Sequence, residues 1–200
     1  INPHFLFNSL NAGAQLAMME DAEQTGIFVE KMADFFRYNV KKGQEDATLG
    51  EELEAVDNYI YILNVRFAGD IHFSKDVDES LENVRVPSMI LQPVVENAVN
   101  HGIRDIEWEG KIHLTVTGDA DYIRISVKDN GKGMTPEQIE GVLTGNKKYK
   151  KEEGDSTGIG MNNVISRLEL YYEETGLVEI NSEGEGEGKG TEVVIYIPVN

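Results

Sequence analysis

Cysteine is absent from the chain, which excludes disulfides and thiolate metal sites and suits a reducing compartment. Basic residues are scarce: 18 Lys and Arg stand against 36 Asp and Glu, a formal net charge of −18. Binding along a nucleic-acid backbone needs neutralising cations, so no nucleic-acid partner is expected. An anionic ligand would have to be met by a metal ion, by backbone N–H groups, or by a local basic cluster. Lys147, Lys148, Lys150 and Lys151 form one such cluster. Long apolar runs are missing too: nothing approaches the roughly 18 residues of a membrane span, and no signal-peptide pattern is present, so a soluble piece is expected. A Gly-x-Gly-x-x-Gly dinucleotide fingerprint and a Walker loop are both lacking, and no two histidines have metal-ligand spacing, so no structural metal is expected. The chain opens on Ile1 and not on Met, and is read as cut from something longer.

What is present divides at about residue 68. Residues 1–67 read as two helices. Asn2-Pro3 is a start signal, with Asn2 as cap and Pro3 in the first turn; in a longer parent the same proline could kink a continuing helix. His4 and Asn8 stand one turn apart on one face. Phe5, Leu6, Leu10, Leu16, Phe28, Met32, Phe35 and Phe36 supply a long apolar surface. Lys41 to Ala47 is polar, contains Gly43, and reads as the turn; Glu51 to Phe67 resumes helical spacing through Leu53, Val56, Ile60 and Leu63. Two helices cannot bury apolar faces on both sides. Either two copies form a four-helix bundle, the expectation preferred here, or the hairpin docks on the domain that follows.

From residue 69 the chain turns to short strands and helices. Asp70–Val77 reads as a strand, and Pro87 as the opening of a helix that runs to about His101 and stops at Gly102. On that helix Leu91, Val94, Val95 and Ala98 make a core stripe, while Pro93, Glu96, Asn97 and Asn100 share another face. A carboxylate beside two amides is a candidate ligand or metal surface; a plain solvated face is the alternative. Lys111–Thr117 and Tyr122–Lys128 alternate as strands, the second with Ile123, Ile125 and Val127 on one side. It ends in Asp129-Asn130-Gly131-Lys132-Gly133-Met134. Asn-Gly is a strong hairpin signal, but Thr135-Pro136-Glu137-Gln138 reads as a capped helix start, which puts these glycines between a strand and a helix. Gly145 to Thr157 is a long Lys-, Glu- and Gly-rich stretch, read as a lid or as disordered. Gly158-Ile159-Gly160-Met161 opens a helix with Met161, Val164, Ile165 and Leu168 as core positions; glycines at a helix start expose N–H groups that bind phosphate. Leu177–Ser182 and Thr191–Val199 close the chain as strands. Neighbouring strands without strict strand–helix alternation predict an α+β fold, a mixed sheet with helices on one face.

Taken in order, Glu96-Asn97-x-x-Asn100-His101, Asp129-Asn130-Gly131-x-Gly133 and Gly158-x-Gly160 resemble the N, G1 and G2 boxes of the ATP-binding GHKL (HATPase) fold shared by gyrase, Hsp90, MutL and histidine kinases. Ahead of them, the segment from Ile1 to Asn11 is similar to the phosphoacceptor segment of LytS/YesM-type sensor histidine kinases. The likeness extends to Leu91-Gln92-Pro93 and Gly190-Thr191. It implies a dimerisation and phosphoacceptor hairpin at 1–68 and an ATP-binding catalytic domain, a two-layer α/β sandwich, at 69–200.

The resemblance also implies roles. His4 would take the γ-phosphoryl group of ATP. Asn97 would hold Mg²⁺ against the phosphates, with Asn100 and His101 beside it. Asp129 would accept from the adenine amino group in a pocket shaped by Gly131, Gly133 and Met134 and supported by Thr191. Gly158, Ile159, Gly160 and Met161 would meet the phosphates where lid and helix join. The partners implied are a second copy of the chain and a response-regulator receiver domain whose aspartate takes the phosphoryl group. A membrane-anchored parent with this portion in the cytoplasm is implied as well. Two departures stand out. Phe5 follows His4 where many histidine kinases carry an acid, so Glu96 is a candidate base and Asn8 a candidate orienting group. Asn100 stands where relatives often carry a basic residue. An ATPase of the same fold without phosphohistidine, and a dimeric docking module without nucleotide, are the alternatives. His72 and His113 are read as ordinary surface residues.

Overall fold

The computed structural model describes residues 3–41, 46–67, 71–103, 106–145 and 157–199, with side chains at all of these except 3–9, 41, 101 and 157–159. The chain begins as a helical hairpin, α1 (Pro3–Met19) and α2 (Glu23–Lys41). A single helix was expected to run through this break. What ends α1 is Asp21, held at φ 58, with Ala22 N–H donating to Ala17 C=O (2.8 Å) and Asp21 N–H to Met18 C=O (3.2 Å). This is a Schellman stop with an aspartate in the left-handed position that glycine fills at least cost. Asp21→Gly is therefore expected to raise stability by about 1 kcal/mol, seen as a rise of a few degrees in the melting temperature; an unchanged or lower value would show that Asp21 has a compensating contact.

Strand β1 (Asp46–Thr48) follows, and pairs antiparallel with β3 (Arg85–Pro87), Ala47 opposite Val86. Helix α3 (Leu49–Arg66) opens on a capping box: Thr48 Oγ1 accepts from Glu51 N–H (3.2 Å) and Glu51 Oε2 accepts from Thr48 N–H (2.8 Å). Its apolar stripe of Leu49, Leu53, Val56, Ile60 and Leu63 lies in the same core as the sheet strands. Each such side chain contributes about 1.5–3 kcal/mol when fully buried. By packing, α3 is thus a layer of the sheet unit, where the two-helix expectation had made it the second rod of the hairpin.

The main sheet has the order β2-β4-β5-β7-β6, from β2 (Ile71–Val77), β4 (Gly110–Gly118), β5 (Tyr122–Asp129), β6 (Val178–Asn181) and β7 (Glu192–Pro198). β2 and β4 run parallel and every other pair is antiparallel, the mixed α+β sheet that the strand spacing predicts. Register aligns Leu114 with Val127 and Val127 with Val193, and these side chains share a core with α3, α4 (Leu91–Asn97) and α6 (Thr157–Tyr172). Between β5 and α6 stands α5 (Pro136–Thr144), whose Thr135–Gln138 capping box and Pro136 in the first turn are both present.

The helix expected to open at Pro87 begins four residues later. Pro87 ends β3, Ser88 to Ile90 bend, and Met89 takes φ 63. Pro93 occupies the first turn of α4, where its missing N–H costs nothing. Beyond Asn97 the helix widens into a π-segment, Ala98–Ile103, that carries it past His101 and Gly102. Among the described residues no helix is long and apolar enough to cross a membrane.

Candidate functional site

Strand β5 builds the site by alternation. Ile123, Ile125, Val127 and Asp129 fall on one face, so the apolar series that lines the core ends in a carboxylate. Asp129 is only 4% exposed. Its Oδ1 accepts from the N–H groups of Gly131 (2.8 Å) and Thr191 (3.3 Å), and its own N–H donates to Thr191 C=O (2.9 Å). Burial lifts its carboxyl to about 6 although both N–H groups pull the other way. Desolvation therefore wins over hydrogen bonding here.

Around this carboxylate the backbone comes very close to itself. A Cβ on Gly131 would lie 2.0 Å from Gly102 C=O oxygen, one on Gly102 would lie 2.7 Å from the Asp129 carboxyl, and one on Gly190 would lie 2.0 Å from Asp129 C=O oxygen. Gly133 has φ 74 and meets Gly184 in the same way. Lys132 N–H donates to Gly102 C=O (3.1 Å) and Gly190 N–H to Gly131 C=O (3.0 Å). Ser182 closes the ring, its Oγ accepting from Met134 N–H (2.9 Å) and donating to Gly190 C=O (2.7 Å). Asn130 makes no hairpin; its side chain bridges Lys111 N–H (2.7 Å) and Glu109 C=O (2.9 Å).

On α4, Asn97 Oδ1 is buried and has no hydrogen-bond partner among the described residues. An orphaned amide oxygen in such a place normally has an unseen partner. Glu96, next to it, is half-buried and accepts from Gln92 Nε2 (2.8 Å). Gly160, in the first turn of α6, lies beside Pro93, with 3.8 Å between its would-be Cβ and the Pro93 Cβ. Pro93 is one turn before Asn97, so the start of α6 sits over the face that carries Asn97.

The structure brings Asp129, Gly131, Gly133, Met134 and Thr191 into one ring, and Gly160 to the Asn97 helix. Asn100 is exposed on the π-segment. Met161 is 1% exposed, a core side chain whose backbone alone faces the helix start. Gly158 and Ile159 lie in that first turn, Ile159 with its side chain outside the described set. His4 and Asn8 are on α1 and His101 on the π-segment, all three with side chains outside the described set; Asn2 and the lysine cluster at 147–151 lie wholly outside it. His72 and His113 pair on the sheet with Glu109 (3.0 Å) and Asp76 (3.3 Å).

Sequence reasoning missed Glu52, Tyr38 and Ser182, and gave Arg167 no role beyond its match to the helix that follows the G2 box. Glu52 carries a legible signal: it stands between Leu49 and Leu53 on the apolar stripe of α3, and is 1% exposed. Its carboxylate accepts from the N–H groups of Met89 (2.6 Å), Ile90 (2.9 Å) and Leu91 (2.8 Å) at the start of α4, and from the Tyr38 hydroxyl of α2. Arg167 of α6 donates to Ser88 C=O.

Both parts of the chain are similar to known proteins. Residues 85–200 match the family model "Histidine kinase-, DNA gyrase B-, and HSP90-like ATPase", and residues 1–71 match the model "Histidine kinase". The sensor histidine kinase YpdA of Escherichia coli (strain K12) is 36% identical over 200 residues, covering 99% of this chain and 33% of that protein. The sensor protein LytS of Bacillus subtilis (strain 168) is 30% identical over 200 residues, covering 100% of this chain and 32% of that protein. The chain thus spans about a third of the length of these curated relatives. Among solved structures, the mycobacterial sensor histidine kinase MprB aligns with TM-score 0.55 and 17% identity over 77% of this chain and 97% of that one. The catalytic domain of histidine kinase ThkA aligns with TM-score 0.53 and 21% identity over 78% and 98%. These two likenesses speak to the fold.

Proposed function

We propose, from the premise that the chain belongs to the histidine kinase-, DNA gyrase B- and HSP90-like ATPase family, that it is the kinase core of a two-component sensor. It binds ATP at the Asp129 ring and transfers the γ-phosphoryl group to His4. The observation that carries the reading is the buried carboxylate of Asp129. Both side-chain bonds it takes from the protein fall on Oδ1, and Oδ2 would accept from the adenine amino group. Gly131, Gly133 and Met134 wall that pocket, and Thr191 fixes the carboxylate from the neighbouring strand. Asn97 Oδ1, buried and without a partner among the described residues, fits a hard cation, so Asn97 is the residue that would hold Mg²⁺. When bound, Mg²⁺ supplies neutralising charge to the phosphate oxygens, which an acidic protein needs. Gly158 and Ile159, in the first turn of α6, would offer backbone N–H groups that have no intrahelical partner, with Gly160 and Met161 behind them and Asn100 and His101 as further candidates on the π-segment.

His4 attacks as the neutral imidazole, whose reference pKa of about 6.5 makes it available near pH 7. A nitrogen–phosphorus bond forms, the bond from phosphorus to the bridging oxygen of ADP breaks, and the imidazole proton leaves to a base. Glu96 is the candidate base, held by Gln92, and Asn8 would orient the ring from one turn along α1. Phosphoryl transfer of this kind depends on positioning and charge compensation. The phosphoryl group then passes to an aspartate of a response-regulator receiver domain.

In this reading the dimerising unit is the α1–α2 hairpin, and the division falls before β1 instead of between 68 and 69, because α3 is packed into the sheet core. Leu16, Met18, Met19 and Val40 are exposed on the hairpin, which supports a four-helix bundle with a second copy. A membrane-anchored parent, with this portion in the cytoplasm, completes the proposal. The test is incubation with Mg²⁺ and ATP labelled in the γ-phosphate. Acid-labile, alkali-stable label is expected on the chain, and none on His4→Gln. Label persisting in that variant would overturn His4 as acceptor; steady phosphate release with no labelled protein would favour the plain ATPase, a reading that Phe5 beside His4 keeps in play.

A further inference from the structure

Glu52 is a carboxylate sunk in an apolar stripe, and no lysine or arginine is among its partners described above. Burying such a group is costly unless hydrogen bonds compensate it. Here the compensation comes from the start of α4. That helix has no side-chain cap of its own, and its N-cap residue is Ile90. Glu52 reaches across from α3 and takes three consecutive N–H groups, of Met89, Ile90 and Leu91, at the positive end of the α4 dipole. The bend that presents them runs through Met89 at φ 63, a conformation that a non-glycine residue keeps only when its surroundings impose it. From the other side Arg167 of α6 holds Ser88 C=O. Residues 88–91 are therefore clamped between two helices, and Asn97 and Glu96 ride less than two turns further along the same short helix.

The fourth bond leads out of this domain. The Tyr38 hydroxyl, on α2 of the hairpin, donates to Oε1, the oxygen that also takes Met89 N–H. Burial first, and Glu52 second, push the phenol well above its usual range, so it remains a donor at any working pH. Tyr59 of α3 is stacked on Phe35 of α2 at 5.9 Å, a second contact between the hairpin and α3, and the charge of Glu96 helps to raise its hydroxyl pKa after burial.

We infer that Glu52 is a positioning residue for phosphoryl transfer: it sets the α4 segment that carries Asn97, and through the Tyr38 hydroxyl it ties that setting to the helical hairpin. The inference rests on the ATP-site reading above. A movement of α2 that withdraws the hydroxyl changes how Glu52 shares its oxygens, and α4 feels the change at its first turn. The nucleotide site and the hairpin are thereby coupled by one side chain.

The test uses the chain itself, with nucleotide affinity and stoichiometry from calorimetry in Mg²⁺ and ATP analogue, and KM and kcat from autophosphorylation. Tyr38→Phe keeps the ring and removes one donor. Its nucleotide affinity is expected to stay within about twofold, with full stoichiometry, while kcat shifts by about tenfold, the worth of one hydrogen bond to a charged group. Glu52→Gln keeps the size and removes the charge; its affinity is expected to weaken by about tenfold, together with kcat. The double variant is expected to match Glu52→Gln alone, because the phenol acts only through the carboxylate. A purely structural role for Glu52 would instead lower stoichiometry and melting temperature while leaving the affinity of the folded fraction unchanged. Should Glu52→Gln fail to fold, Tyr38→Phe decides alone. Wild-type kcat in Tyr38→Phe overturns the coupling, and wild-type affinity in folded Glu52→Gln overturns the positioning role. A wild-type chain that binds no nucleotide overturns the ATP-site reading itself, and the inference with it.

Discussion

Gly131→Ala is expected to cost the protein both stability and its nucleotide site, and Gly160→Ala to cost it neither fold nor melting temperature. The two glycines belong to adjacent motifs but answer to different physics. At Gly131 an added Cβ would stand 2.0 Å from the carbonyl oxygen of Gly102 and 2.1 Å from its carbonyl carbon. Both atoms are backbone, and the same carbonyl accepts from Lys132 N–H, so no side chain can swing aside to make room. The π-segment and the β5–α5 loop must separate. Overpacking of this kind costs about 1–3 kcal/mol, and sometimes more, which in a chain of this size lowers the melting temperature by roughly 2–12 °C. The same displacement moves Asp129, whose Oδ1 takes Gly131 N–H, so nucleotide affinity should fall by on the order of a hundredfold. At Gly160 a Cβ would meet only the Pro93 Cβ, at 3.8 Å, an ordinary contact. Alanine in that helical position is favoured over glycine by up to about 1 kcal/mol. Thermal melts of both variants check the contrast, and a Gly131→Ala protein that melts and binds like the parent would refute the close crossing.

How much of this was legible in the sequence depends on whether a feature is local. Strand β5 was readable because alternation is a two-residue property, and the observed strand, Tyr122–Asp129, carries the expected alternation on to Asp129. The capping box of Thr135 and Gln138 was readable because both partners lie in one turn. The stop at Asp21 was not, since Glu20-Asp21-Ala22 contains neither glycine nor proline, and the helical period passes through it. Pro87 misled for a different reason: proline suits a helix start, but β1 had already claimed Val86 and Pro87 as strand partners, and a strand pairing 40 residues away is invisible to a local pattern. The close approach of Gly102 to Gly131 and of Gly190 to Asp129 is equally non-local. Glu52 lies between the two cases. A glutamate on an apolar stripe was visible as an anomaly, yet its meaning depends on N–H groups of residues 89–91 that only the fold delivers.

Asp129→Asn is expected to stabilise the nucleotide-free protein above about pH 6 while removing most of its affinity for ATP. The carboxyl of Asp129 sits at about 6 in the folded chain because it is buried, against a value of about 3.9 in an unfolded one. Between those values the folded state holds the proton that the unfolded state releases, so stability falls as pH rises from about 4 to about 6. Above that window the full cost of the buried charge is present, about 3 kcal/mol at one pKa unit per 1.36 kcal/mol. Asparagine retains an oxygen for the two N–H groups of Gly131 and Thr191 and carries no charge to desolvate. Its melting temperature at pH 7.5 should exceed the parent's by on the order of 5–10 °C, and the gap should close toward pH 4. The amide nitrogen, however, presents donors where, at the proposed site, the adenine amino group would need an acceptor, so affinity should fall by on the order of a hundredfold. A residue whose native form weakens the empty protein and whose isosteric neutral form strengthens it is maintained for what it binds. If Asp129→Asn were less stable than the parent at every pH, or bound nucleotide equally well, Asp129 would be a structural group and the adenine contact would have to be sought elsewhere.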